Sequence, residues 1–134
     1  MGFDMTIIKA KRESISSVCK KYYEDNINNL PYEGIAEIEN ESNTKCFESR
    51  LHLLNSFEFE GYIGYSHETY VEISPQLFIP IIKYCENIIK YCENIIKESG
   101  SNQRLHDEYN RLRNYMESLD FNIEEDVLLY EHNC

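Results

Sequence analysis

The chain has 134 residues, with 24 acidic against 13 basic side chains, a formal net charge of -11, and 42% hydrophobic and 13% aromatic residues. That length suits a single domain with its own core, and the hydrophobic share offsets ordering entropy, which excludes wholesale disorder. No apolar run approaches the ~20 residues of a membrane span, and the acidity argues against nucleic acid and anionic membranes as partners. In chain order, the β-rich run Met5–Ala10 (MTIIKA) predicts a strand. From Glu13 or Ser14, the residues Ile15, Val18, Cys19 and Tyr22 follow i, i+3, i+4, i+7 spacing and predict an amphipathic helix. Asn26–Pro31 stops it, because the residue before proline avoids the helical region. Tyr32–Asn43 reads as a loop or weak strand anchored by Ile35 and Ile38, and Thr44–Phe57 as a helix with Phe47, Leu51 and Leu54 on one face. Glu58–Ser66 and Thr69–Ile73 are β-rich runs separated by His67 and Glu68, which predicts a hairpin or sharp bend.

The strongest helix signal follows. Ser74 and Pro75 suit an N-cap and a first helical position. From Ile81 the chain reads IIKYCEN twice and begins it a third time, with Ile, Tyr and Cys filling about half the helix circumference. Pro80 kinks the first turns or shifts the helix start. Gly100 offers a C-cap, and Ser101 or Asn102 caps a second helix to about Leu119 striped by Leu105, Tyr109, Leu112, Tyr115 and Met116. A short turn between two such helices predicts an antiparallel helical hairpin. Asp126–Tyr130 (DVLLY) reads as an edge strand or docked extension of an acidic C-terminal segment, about 121–134, that is free to move. The expectation is an α+β fold, a single compact domain over 1–134 in which a long antiparallel helical hairpin packs with a small antiparallel sheet. The duplicated heptad either extends a helix in phase or forms a homodimer seam through Ile81, Ile88 and Ile95.

Motifs for chemistry are sparse. The five cysteines are odd in number and follow no secretory signal, so they read as free thiols in a reducing cytosol. Cys85 and Cys92 lie about 10.5 Å apart along a helix at 1.5 Å per residue, beyond disulfide reach. His52, His67, His106 and His132 follow no metal-ligand spacing, and Gly61 and Gly64 form no phosphate loop. His67 and Glu68, near Glu58 and Glu60, are either a divalent-metal or acid–base constellation or a polar strand face. No cofactor is expected. Residues 31–73 hold nine acidic against two basic residues, interleaved with tyrosines. Glu58, Glu60, Tyr62, Tyr65, Glu68 and Tyr70 therefore form either a partner-binding surface, since tyrosine supplies large contact area with few rotors, or the ordinary facing of a sheet.

The opening Met1-Gly2-Phe3-Asp4-Met5, with its strand and Lys9-Ala10-Lys11-Arg12, resembles a group of small uncharacterised phage and prophage proteins beginning M-G-[LF]-D-M. Glu68–Cys85 (ETYVEISPQLFIPIIKYC) is similar to that group's Y-x-V-S-x-x-Q-L strand-to-helix stretch. The resemblance implies a phage-encoded accessory protein acting in the cytosol of a bacterial host. The leading expectation is a non-enzymatic inhibitor of a bacterial defence or nucleic-acid-handling protein, its acidic surface meeting a basic groove on that host protein. The alternatives are a protein that sequesters a nucleotide signal, which the shortage of cations opposes, and a metal-dependent hydrolase around His67.

Overall fold

The computed structural model describes residues 4–41, 46–99 and 102–133. The fold is α+β: helices together with a four-stranded antiparallel sheet. Contacts divide the chain into two compact units, Met1–Pro75 with Phe121–Cys134, and Gln76–Asp120.

In the first unit, β1 (Asp4–Lys11) lies beside β2 (Cys46–Ser49) on one side and β4 (Asp126–Asn133) on the other, and β3 (Val71–Ile73) completes the order β2-β1-β4-β3. β4 was expected at an edge or as a mobile tail. It is an inner strand, paired with β1 over eight positions and with β3 over three. The reason is visible in its residues. Asp126 to Tyr130 are all buried, and consecutive residues face opposite sides, so both faces of this strand are covered. On one face, Ile8, Ala10, Val127 and Leu129 pack with Val18 of α1 (Arg12–Lys21) and Ile38 of α2 (Tyr32–Glu41). The opposite parity carries Met5, Ile7, Phe47, Tyr130 and His132, aligned by the register.

Three expectations need correction. Tyr32–Glu41 is a helix rather than a loop or weak strand. Pro31 starts it: its carbonyl accepts from the N–H groups of Gly34 and Ile35. Ile35 and Ile38 then reach the same core as Ile27 and Leu30. Gly34 sits where a Cβ would meet Leu30 and Tyr22 at 3.3 Å, so the close approach of this helix favours glycine. Secondly, the segment read as one helix over Thr44–Phe57 holds β2 and a short helix, α3 (Asn55–Phe59); Thr44 lies outside the described residues. Phe47 and Ser49 alternate inward with Cys46 and Glu48 outward, and pairing with β1 overrides the coincidental helical spacing of Phe47, Leu51 and Leu54. Thirdly, Glu58–Ser66 is no strand and forms no hairpin with Val71–Ile73; the sharp bend at His67 and Glu68 is there, with Glu68 at φ 59° and the Thr69 N–H donating to the Ser66 carbonyl at 3.2 Å. Glu58 and Phe59 end α3, and β3 pairs with β4 instead.

In the second unit, a 3-10 turn over Pro75–Leu77 leads into α4 (Phe78–Ser99), and α5 (Gln103–Ser118) follows. Pro80 falls in the first turn, where its missing N–H has no intrahelical acceptor, so α4 continues through it. Gly100 and Ser101 lie outside the described residues. The two helices run antiparallel: Tyr84 meets Tyr109 edge-on at 6.0 Å, and Glu93 lies 3.6 Å from His106 nearer the turn. Ile81, Cys85, Ile89 and Cys92 are buried on α4, with Tyr109, Leu112, Tyr115 and Met116 on α5. The two heptads are not equivalent. Seven residues at 3.6 per turn fall about 20° short of two full turns. Accordingly Tyr84 is half-buried while Tyr91 is 63% exposed. Of the residues expected at a dimer seam, Ile81 is buried, and Ile88 and Ile95 are half-buried.

One charged group anchors the entry to β4. Asp126 accepts from the Asn122 N–H at 2.8 Å and pairs with Lys11 Nζ at 2.9 Å. Burial pushes its carboxyl up, but the Asn122 N–H, Lys11 and Lys9 outweigh burial and hold it below its ordinary value. A carboxyl depressed by folding adds stability above its unfolded pKa, roughly 3.9, and that stability is lost as pH falls through the folded value. Asp126→Asn should therefore lower stability by about 1–3 kcal/mol at pH 7. In thermal melts followed from pH 7 to pH 2, the gap between variant and wild type should close below about pH 4.

Candidate functional site

Four separate pieces of the first unit converge on the face of the sheet that carries Tyr130 and His132. The turn after β2 brings His52, with the Leu51 N–H donating to Ser49 Oγ at 3.0 Å. α3 brings Glu58, the returning loop brings Ser66, and β4 brings His132. His132 is pinned by its backbone: its N–H donates to the Ser66 carbonyl and its carbonyl accepts from the Glu68 N–H at 3.0 Å.

Their side chains form one connected cluster. Ser66 Oγ donates to Glu58 Oε1 at 2.5 Å, and His132 Nδ1 lies 2.8 Å from the same oxygen. His52 Nε2 is 3.6 Å from Glu58 Oε2 and 2.6 Å from the Tyr130 hydroxyl. The His52 and His132 rings lie 4.3 Å apart. The side chains of His52, Glu58 and His132 are only 13%, 10% and 7% exposed. Burial lowers the His52 pKa, and neighbouring His132 lowers it further against the opposing pull of Glu58, so this imidazole is neutral at pH 7. Two imidazoles and one carboxylate present donor atoms within 4.8 Å of one another. Such a set can relay a proton or hold a divalent cation.

Above this cluster runs a loop with an aromatic exterior. Phe59, Tyr62 and Tyr65 are 84%, 57% and 75% exposed, and Glu60 and Glu68 are exposed among them. The loop is tied down from inside. The N–H groups of Tyr62 and Ile63 both donate to the Phe57 carbonyl, and Ile63 is buried. Gly61, at φ +79°, makes the left-handed bend that a side chain would strain. Of the six residues expected at a partner surface, Glu60, Tyr62, Tyr65 and Glu68 are therefore outside. Glu58 turns inward to the histidines. Tyr70 is buried, its hydroxyl donating to Glu39 at 3.2 Å. His67 is half-buried, its Nε2 3.8 Å from Glu68 Oε1 and its ring 5.4 Å from that of His132, while Glu58 meets His132, a residue outside the expected constellation.

His52, Ser66 and His132 were not singled out by sequence reasoning, nor was Phe59. His52 and His132 are 80 positions apart, and only the β1–β4 and β1–β2 registers bring them together. Elsewhere in this unit, a cleft of about 280 Å³ is lined by Arg12, Cys19, Asn26, Glu72 and Leu129. Arg12, the cation on its wall, is bound to Glu72 at 2.9 Å, which suits phosphate poorly. Cys19, Cys46, Cys85 and Cys92 are free thiols. Burial pushes Cys85 up to about 12, and partial desolvation with nearby Glu48 and Glu39 pushes the exposed Cys46 up to about 11, so neither is a thiolate at neutral pH. No helix among the described residues is long and apolar enough to cross a membrane. No protein-family model, no curated protein and no solved structure matches the chain.

Proposed function

We propose that the protein is a non-enzymatic binding protein that engages a basic protein groove through the loop bearing Phe59, Glu60, Tyr62, Tyr65 and Glu68. The observation that carries this reading is the exposure of three large aromatic rings on one internally hydrogen-bonded loop. Rigid aromatic anchors contribute contact area at small entropic cost, and a held loop has less freedom to lose on binding. The charge selects the partner. Glu60 and Glu68 are exposed beside the rings, so the loop surface complements cations. The resemblance of the opening residues and of Glu68–Cys85 to phage proteins directs the proposal to a bacterial target, with inhibition of a nucleic-acid-handling or defence protein as its consequence.

The test begins with capture of the partner from bacterial lysate, followed by association kinetics at low and high salt. Combined Glu60→Lys and Glu68→Lys should slow association roughly tenfold at low salt, because the charges steer encounter, and the difference should shrink as salt screens them. Tyr62→Ala with Tyr65→Ala should instead speed dissociation. Association that ignores salt, with the lysine variant matching wild type, would sink the acidic-loop reading.

A further inference from the structure

We infer that His52, Glu58 and His132 form a binding site for a divalent transition-metal ion of the zinc class, lying directly beneath the aromatic loop. The donor set is two imidazole nitrogens and one carboxylate oxygen, the composition that zinc takes when three protein ligands leave a fourth position for water. Around a tetrahedral zinc with ligands at 2.0–2.1 Å, donor atoms stand about 3.3 Å apart. His52 Nε2 lies 3.6 Å from Glu58 Oε2, His132 Nδ1 lies 2.8 Å from Glu58 Oε1, and one donor atom from each of the three residues lies within 4.8 Å of the others, so small side-chain rotations close the set onto one ion.

The three side chains are held in place before any ion arrives. Ser66, with no exposed surface, holds Glu58 Oε1 at 2.5 Å and stands 2.8 Å from His132 Nδ1, and the Tyr130 hydroxyl stands 2.6 Å from His52 Nε2, so a cation takes over ligand atoms that these two hydroxyls now bond. The ligands come from two regions far apart in sequence, His52 with Glu58 just after β2 and His132 on β4. An ion would therefore cross-link the sheet to the stem of the loop, since Glu58 and Ser66 stand at the loop's two ends. That role needs no partner for the loop, so the metal site stands or falls independently of the proposed docking function.

The experiment uses the full chain, stripped with EDTA and desalted, and titrated with ZnCl2 and separately with CoCl2. One equivalent should bind, and the melting temperature should rise with zinc concentration, as for any ligand that prefers the folded state. Bound Co2+ should give the visible d–d absorption of a low-coordinate nitrogen–oxygen site, without a thiolate charge-transfer band. His52→Gln and Glu58→Gln should each weaken zinc binding by more than about tenfold, since even the loss of an outer-shell partner costs 10–100-fold. Ser66→Ala should weaken it by about tenfold. The absence of saturable binding, a thiolate band that places the ion on cysteines, or unchanged affinity in both glutamine variants would each overturn the site. Should a variant fail to fold, the cobalt spectrum of the wild-type chain still decides between imidazole–carboxylate and cysteine ligation.

Discussion

A chain truncated before Phe121 is expected to lose the cooperative unfolding transition of the sheet unit altogether. β4 lies between β1 and β3, so its removal strands β3 without a partner and opens one side of β1. Five consecutive buried residues would leave with it, from Asp126 to Tyr130. Each large apolar side chain among them contributes about 1.5–3 kcal/mol of burial, against a total stability of about 5–15 kcal/mol for an ordinary domain. Two gentler variants check the same point. Leu128→Ala, at a position with no exposure, should cost about 2–5 kcal/mol. Ile123→Ala, in the exposed approach to β4, should be within about 0.5 kcal/mol of wild type. Chemical denaturation followed by circular dichroism separates these outcomes. A truncated chain that keeps a native-like near-ultraviolet spectrum and transition would show that β4 is dispensable.

The second large effect belongs to α4. Ile89→Asp should unfold the helical hairpin or bring its melting below room temperature. Ile89 is 5% exposed, and an unpaired carboxylate there costs several kcal/mol, comparable to what the whole unit can supply. The neighbouring position is the control. Ile88 is half-buried, so Ile88→Asp can turn its carboxylate toward water and should cost less. Ile79, at 78% exposure, should tolerate aspartate with little change. Far-ultraviolet dichroism at 222 nm against temperature orders the three, and equal melting of Ile88→Asp and Ile89→Asp would contradict the helix phase described here.

That phase also shows how far periodicity alone can carry an inference. The run IIKYCEN-IIKYCEN-IIK announces a helix, because no strand gathers Ile, Tyr and Cys onto one side at that spacing. It does not announce which isoleucine of each pair lies deepest. The slow drift of an α-helix against a seven-residue repeat settles that, and it moves Tyr91 into solvent while Tyr84 rests beside Tyr109.

Local pattern by itself determined the elements whose signals need no distant partner: β1, the stripe of α1, the long α4 with its early proline, α5, and hence the α+β class. Tertiary structure decided the rest. A four-residue strand such as β2 has too few positions to outvote a chance helical spacing, and it becomes a strand only by pairing with β1. DVLLY, a short run, reads as an edge strand or docked extension, yet it is part of an eight-residue strand paired on both sides. Its four successive apolar residues were the legible sign of burial on both faces. The exposed acids and tyrosines of the 60–68 loop could be named from composition, because polarity there is a local property. The cluster of His52, Glu58, Ser66 and His132 could not. Its members meet through hydrogen bonds between segments as many as 80 positions apart, and only strand register converts that separation into distances of 2.5–3.6 Å.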